Sequence, residues 1–128
     1  MKGAKLLIKA KELAQRIAFI TKDKKAKDVV ILDLRKVASF CDYFVIASCS
    51  SLRQVNATSD AIQQDLAKDK IKSLSKVSAN DQSGWIVLDY SDVIAHIFYE
   101  PTREFYSLEH LWSDAKRVKI PRTSRLKE

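Results

Sequence analysis

The 128-residue chain is poor in the residues that mark several common classes of protein. Its two glycines and two prolines exclude collagen-like, low-complexity and flexible-linker sequences. Two cysteines, Cys41 and Cys49, are too few for a disulfide framework. A transition-metal site would need several of these cysteines and the two histidines, His96 and His110, to converge. We therefore expect neither a metal nor a cofactor.

Long apolar runs are also missing from the sequence. No segment approaches the roughly 20 apolar residues that span a bilayer, and Lys9 and Lys11 interrupt the region where a secretory signal would be apolar. We therefore expect a cytoplasmic protein that makes no membrane contact. With 46% hydrophobic and 30% charged residues, the chain has an ordinary globular composition. We predict one domain over residues 1–115 and a basic tail over residues 116–128.

The net charge of +7 is unevenly distributed along the chain. Residues 1–27 carry +7, residues 28–115 carry −5 and residues 116–128 carry +5. The basic ends could contact RNA phosphates without reading sequence, or they could simply be solvated ends that aid solubility. The acidic middle of the chain suits a basic protein partner.

Apolar residues at three- and four-residue steps predict three helices. The first covers Lys5–Ile20 and the second covers about Leu52–Lys70. Ser51 and Gln54 have the spacing of a capping box, which marks the start of the second helix. Pro101 suits the first turn of the last helix. One face of that helix is predicted to carry Phe105, Leu108 and Trp112.

Short runs rich in β-branched and aromatic residues predict the strands. Val29–Leu34 and Tyr43–Ala47 are two of them, and Lys72–Val77 is a weak third. Trp85–Leu88 and Val93–Tyr99 flank a short polar turn and form a predicted antiparallel hairpin. Too few residues join the first two strands for a parallel crossover, so the sheet must be mixed. The predicted fold class is α/β, with a mixed sheet of about five strands and flanking helices.

Four segments of the sequence together carry a family resemblance. They are VILDLR at 30–35, DYFVIAS at 42–48, GWIVLDYSDVIAHIF at 84–98 and REFYSLEHLW at 103–112. In this order and spacing they resemble the ribosomal silencing factor family, also called Iojap-like. The resemblance covers about residues 5–115. Cys49 and Ser91 stand where this family usually has glycine, and Ser78-Ala79 replaces a usual Glu-Gly pair.

The resemblance implies a fold related to nucleotidyltransferases but without their catalytic residues. It also implies a translation repressor that binds the large ribosomal subunit at ribosomal protein fourteen. The bound repressor would sterically block association with the small subunit and so lower translation when nutrients are limited. No enzymatic activity is expected on this interpretation.

Candidate contact residues for the ribosomal protein lie mainly on the hairpin. The expected contact set is Trp85, Leu88, Asp89, Tyr90, Asp92 and His96. A second set with structural or interface roles is Asp42, Tyr43, Arg103, Tyr106 and Trp112. From its strand position alone, His96 is better explained as a core histidine held by one hydrogen bond than as a catalytic residue.

Two other functions remain open from the residues themselves. Asp89 and Asp92 could be a carboxylate pair of a divergent nucleotidyltransferase, although the chain has no Asp-x-Asp motif and no glycine-rich loop. The basic ends could instead make a general ribosomal-RNA-binding domain. A homodimer through the exposed apolar face of the last helix is also compatible with the sequence.

Overall fold

The computed structural model describes residues 9–121, so positions 5–8 of the predicted first helix and residues 122–128 of the predicted tail lie outside it. The described chain forms three helices, five strands and one 3₁₀ helix. In chain order they are α1 (Ala10–Asp23), β1 (Lys27–Asp33), β2 (Tyr43–Cys49), α2 (Leu52–Ala67), β3 (Trp85–Asp89), β4 (Val93–Tyr99), α3 (Glu100–Tyr106), the 3₁₀ helix (Leu108–Trp112) and β5 (Lys116–Arg117). Within this range no helix is both long and apolar enough to cross a bilayer.

The strands form one sheet in the order β3-β4-β2-β1-β5. Strands β2 and β4 run parallel, whereas the other neighbours are antiparallel. The predicted mixed sheet of five strands and the predicted hairpin of β3 and β4 are therefore confirmed. The parallel pair is possible because α2 and the segment that follows it carry the chain across the sheet.

Helices α1 and α2 cover one face of the sheet and form the larger core with it. Ile17 on α1 and Val55 on α2 are completely buried there. Arg16 ties the two helices together, because its guanidinium lies 2.9 Å from an Asp65 carboxylate oxygen and 2.7 Å from one of Asp69. Arg16 is itself buried, and two carboxylates compensate its charge.

The predicted capping box starts α2. The Ser51 hydroxyl oxygen accepts a hydrogen bond from the Gln54 backbone N–H at 3.0 Å. The Gln54 side-chain oxygen accepts from the backbone N–H of Ser50 at 2.7 Å, one residue before the usual partner. The helix ends at Ala67, three residues earlier than predicted, and Lys70 follows in a left-handed conformation with φ 62°.

The prediction of a strand at Lys72–Val77 is wrong, because this segment has no strand pairing. It instead protects the free edge of β3. The Ser75 hydroxyl donates to the Val87 carbonyl oxygen at 2.8 Å, and the Leu74 backbone N–H donates to the Asp89 carbonyl oxygen at 2.7 Å. An irregular segment that uses edge groups in this way prevents pairing with another chain.

The predicted last helix is interrupted at Ser107, whose backbone is left-handed with φ 46°. Helix α3 therefore stops at Tyr106, and the 3₁₀ helix continues in a new direction. The chain then returns to β1, where β5 pairs with Leu32 and Asp33. Residues 116–121 therefore lie on the folded domain rather than in a tail, and Lys116–Arg117 supply the fifth strand.

Two positions that differ from the usual family pattern have different structural consequences. Ser91 forms the hairpin turn with φ 72°, a left-handed conformation that glycine adopts without steric strain. Cys49 lies in regular β2, where it is fully buried with its thiol 3.8 Å from the Thr58 hydroxyl. Glycine is required at Gly84, where φ is 83° and an added Cβ would come within 2.6 Å of the Thr102 hydroxyl oxygen.

Candidate protein-docking face

The sheet face opposite α1 and α2 carries a set of aromatic rings that we call the aromatic face. It arises because successive residues of a strand point to opposite sides of the sheet. Every second side chain of β2, β3 and β4 therefore lies on this side. The aromatic face consists of Phe40, Phe44, Trp85, His96, Phe98, Tyr106 and Trp112. Among residues 9–121, the loop before β2 contributes Phe40 to this face, and the C-terminal segment contributes Tyr106 and Trp112.

Three rings form one end of the aromatic face. Phe40 lies 6.0 Å from Phe44 and 5.7 Å from Trp112, measured between ring centroids. Phe44 meets Trp112 edge-on at 6.0 Å. Phe44 is buried on β2, whereas Phe40 keeps 55% of its surface exposed. The cluster therefore has a fixed base and a free outer ring.

Trp85 is the centre of the other end of the aromatic face. Its ring centroid lies 4.9 Å from that of Phe98 beneath it and 4.9 Å from that of Tyr106 beside it. Tyr106 is 51% exposed, and the adjacent Phe105 is 80% exposed. Trp85 is half-buried, so its orientation is set by neighbours while part of its ring still faces solvent. Such half-buried tryptophans are typical anchors of protein interfaces.

His96 joins the two ends and fixes Trp85. The Trp85 indole N–H donates to His96 Nδ1 at 3.1 Å. Because indole can only donate, we assign the neutral imidazole with its proton on Nε2. Burial lowers the pKa of His96 to about 4, which keeps the ring neutral at pH 7. Nε2 is buried without a hydrogen-bond partner within residues 9–121.

Three carboxylates lie at the end of the sheet beside the aromatic face, and we call Asp42, Asp89 and Asp92 the acidic end. The Asp42 backbone N–H donates to the Asp92 carbonyl oxygen at 2.8 Å, which joins the two segments. Burial, together with these three neighbouring carboxylates, raises the pKa of the Cys41 thiol to about 11. The acidic end therefore presents concentrated negative charge next to the aromatic rings.

Arg103 anchors the segment that carries Tyr106 and the 3₁₀ helix. Its guanidinium donates to the Asp28 carbonyl oxygen at 2.7 Å, to the Ser48 hydroxyl at 2.8 Å and to the Glu109 carboxylate at 2.7 Å. Burial on its own would raise the pKa of Glu109, but the hydrogen bonds and charge of Arg103 lower it below its usual value. Arg103 is buried, so this network is internal support rather than a contact surface.

Arg103 also lies in a polar hollow of about 490 Å³ between α3, the 3₁₀ helix and β1. Its wall carries both signs of charge, including the carboxylates of Glu100 and Glu104 and the guanidinium of Arg117, and Arg103 already donates to three groups there. Within residues 9–121 no three His, Cys, Asp or Glu side chains are grouped as metal ligands.

Comparison with known proteins places the chain in a family. The profile of the family described as "Ribosomal silencing factor during starvation" matches residues 8–128. A ribosomal silencing factor of Halalkalibacterium halodurans is 31% identical over 109 residues, which cover 85% of this chain and 92% of that protein. The chain belongs to the ribosomal silencing factor family.

Another member of the family and two solved structures are also similar to this chain. A ribosomal silencing factor of Zymomonas mobilis is 38% identical over 94 residues, covering 70% of this chain and 67% of that protein. A crystal structure from Bacillus halodurans superposes with a TM-score of 0.73 at 29% identity, covering 86% of this chain and 99% of that one. A Chromobacterium violaceum structure shares the fold, with a TM-score of 0.77 at 23% identity and coverage of 91% and 96%.

The hairpin distributes the expected contact residues of this family member over two faces. Trp85, Asp89 and His96 point to the aromatic side. Leu88 and Tyr90 point to the helices, where Leu88 is fully buried and Tyr90 nearly so. These two residues are therefore core residues, which corrects their placement in a contact set. Burial also raises the pKa of Tyr90 to about 12.

Asp92 lies exposed in the hairpin turn and is accessible to a partner. His96 is buried and reaches the surface only through Trp85, which agrees with its explanation as a core histidine held by one hydrogen bond. Asp89 has a turn role, because its carboxylate accepts the Ser91 backbone N–H at 2.8 Å.

The second predicted set, with structural or interface roles, also divides into buried structural residues and residues of the aromatic face. Tyr43 is buried on the helix side with the Arg35 guanidinium 5.4 Å from its ring centroid. Arg103 is structural, whereas Tyr106 and Trp112 belong to the aromatic face.

Sequence reasoning missed Phe40, Phe44 and Phe98 as members of the aromatic face. Strand alternation could have found two of them, because Phe44 and Phe98 have the same strand parity as their neighbours on this side. No local signal marks Phe40, which lies in a loop and joins the others only through tertiary contacts.

Proposed function

We propose that this chain represses translation by occupying the large ribosomal subunit at ribosomal protein fourteen. The bound chain sterically blocks association with the small subunit, and it acts when nutrients are limited. Membership of a family described by silencing during starvation supports this proposal. A mouse relative, 27% identical over 96 residues, is named for mitochondrial assembly of the large ribosomal subunit.

The aromatic face beside the acidic end is the observation that carries the proposal. Tyr106 beside the half-buried Trp85, and Phe40 at the other end, each leave about half of their surface exposed, so both ends of the aromatic face are apolar and accessible. Exposed apolar patches of this kind mark interaction sites. The neighbouring carboxylates complement a basic ribosomal protein and would steer its approach.

Blocking by occupancy needs binding alone and no chemical turnover. A standard interface buries about 1,600 Å² in total, and a tryptophan at its centre commonly contributes 2 kcal/mol or more. We therefore assign the chain a non-enzymatic role. Magnesium-dependent nucleotide binding measured by calorimetry would favour the nucleotidyltransferase alternative instead.

Co-sedimentation with purified large subunits tests the docking site. Trp85→Ala is expected to weaken binding at least about tenfold, and Phe40→Ala several-fold, because both remove apolar area from the aromatic face. Leu74→Ala is the matched control, since it removes an exposed apolar side chain outside that face. Circular dichroism confirms that each variant is folded.

Unchanged co-sedimentation of folded Trp85→Ala and Phe40→Ala would refute the docking site. A homodimer that covers the aromatic face would give a different result. In that case the free chain would sediment as a dimer, and Trp85→Ala would convert it to a monomer.

A further inference from the structure

Two basic segments that are distant in sequence meet at one edge of the sheet. The first, residues 22–27, ends α1 and leads into β1. The second, residues 116–121, forms β5 and the chain after it. β5 pairs with β1, and the Val118 backbone N–H donates to the Ile31 carbonyl oxygen at 2.9 Å. The fold thus brings together what the sequence separates by about 90 residues.

Contacts with α1 complete this convergence. The Gln15 side-chain amide donates to the Lys119 carbonyl oxygen at 3.0 Å. A hollow of about 390 Å³ lies between the end of α1 and the last described residues. It is lined by Phe19, Lys22, Asp23, Lys25 and Pro121. The second segment is therefore held against the helix rather than extending away from it.

The cations of both segments form a surface that we call the basic edge. Its members are Lys22, Lys24, Lys25, Lys27, Lys116, Arg117 and Lys119, all of them exposed. The two segments contain one carboxylate, that of Asp23. Asp28 and Asp33 lie nearby on β1, where Arg35 binds the Asp33 carboxylate at 2.7 Å. Arg117 lines the polar hollow together with Glu100 and Glu104. Positive charge therefore predominates over the rest of the basic edge.

We propose that the basic edge binds the phosphate backbone of RNA without reading its sequence. Lysine and arginine side chains that neutralise phosphates release counterions, and this release drives such binding. The choice of RNA among polyanions rests on the proposed ribosomal function. Strand β3, which carries Trp85, is the opposite edge strand of the sheet, so a protein and an RNA can be bound together.

Fluorescence anisotropy with a labelled 20-base-pair RNA duplex tests the proposal in 50–300 mM KCl. We compare Lys116→Glu/Lys119→Glu with the control Lys68→Glu/Lys72→Glu. Both variants change the net charge equally, but the control lysines lie on the segment between α2 and β3. Backbone pairing of β5 does not need the Lys116 side chain, and circular dichroism verifies folding.

The basic-edge variant is expected to bind the duplex at least about tenfold more weakly in 0.1 M salt, with a slope of log K against log salt that is smaller by about 2. The control variant should retain most of the affinity and the slope. Lys22→Ala/Lys25→Ala should weaken binding as well, because the first segment contributes to the same surface.

Three results would overturn the proposal. Equal losses in the basic-edge and control variants would show an effect of net charge alone. Failure of the wild-type chain to bind the duplex would show that the basic edge is not an RNA site. The charges of β5 would then be explained as groups that keep an edge strand from pairing with another chain. Binding to phosphatidylserine vesicles but not to RNA would identify a membrane surface.

The RNA test does not depend on the docking site. Naked RNA contains no ribosomal protein, so Trp85→Ala should keep its RNA affinity even though it loses the large subunit. Loss of subunit binding and loss of RNA binding are thus separately observable.

Discussion

Replacing Arg103 by methionine should loosen the support of the aromatic face. The substitution keeps much of the side-chain length but removes every donor and the charge. Three groups then lose their partner: the Asp28 carbonyl oxygen, the Ser48 hydroxyl and the Glu109 carboxylate. The segment that carries Tyr106 would lose its strongest link to β1 and β2.

The size of the effect follows from the burial of the network. Removing one partner of a buried ion pair costs about 3–5 kcal/mol. The Glu109 side chain is 23% exposed and recovers part of its hydration, so we expect about 2–4 kcal/mol. For a domain of this size, that corresponds to a fall in Tm of about 8–16 °C.

Urea denaturation followed by the fluorescence of Trp85 and Trp112 measures this loss. Arg35→Met is the matched control, because Arg35 also pairs with a carboxylate, that of Asp33, but its own side chain is 59% exposed, so it should lower the denaturation midpoint much less. A loss below about 0.5 kcal/mol in Arg103→Met would refute the assigned role of Arg103 as an anchor.

Three further results are expected. Ser91→Gly should stabilise the domain by about 1 kcal/mol in urea denaturation by relieving a left-handed backbone, and destabilisation would contradict this reason. The pKa of Glu109 is lowered in the folded state, so its contribution to the free energy of unfolding is present above its unfolded pKa of about 4.3 and is lost as the pH falls through the folded value. The free energy of unfolding should therefore decline on acidification, and less steeply in Arg103→Met. Equal slopes in the two proteins would contradict this. His96→Phe should change the free energy of unfolding by less than about 1 kcal/mol, because the loss of the acceptor for the Trp85 indole is offset by removal of an unpaired buried nitrogen. It should nevertheless weaken large-subunit binding in co-sedimentation. Unchanged binding would contradict the role of His96 in positioning Trp85.

Local signals predicted much of the fold. The capping box at Ser51 and the hairpin of β3 and β4 depend on residues close together in sequence, and both are present in the structure. The segment Lys72–Val77 was wrongly predicted as a strand, because its few apolar residues are equally compatible with an irregular segment that packs along the edge of β3. Strand β5 had no apolar signal, since Lys116–Arg117 is held by backbone pairing with β1.

The candidate site was predicted only in part because a motif does not state which face a side chain occupies. Trp85 and Leu88 are an odd number of residues apart on one strand, so they point to opposite sides. Phe40 joined the aromatic face through contacts with Phe44 and Trp112, which no local pattern encodes. Convergence of the two basic segments likewise depends on the return of the chain to β1.

Subunit joining followed by light scattering tests the central claim most directly. Purified large subunits are first saturated with the chain, and small subunits are then added in magnesium buffer. The account predicts that the increase in scattering from joined ribosomes disappears at one chain per large subunit and returns with Trp85→Ala. Normal joining by large subunits that demonstrably carry the bound chain would contradict it.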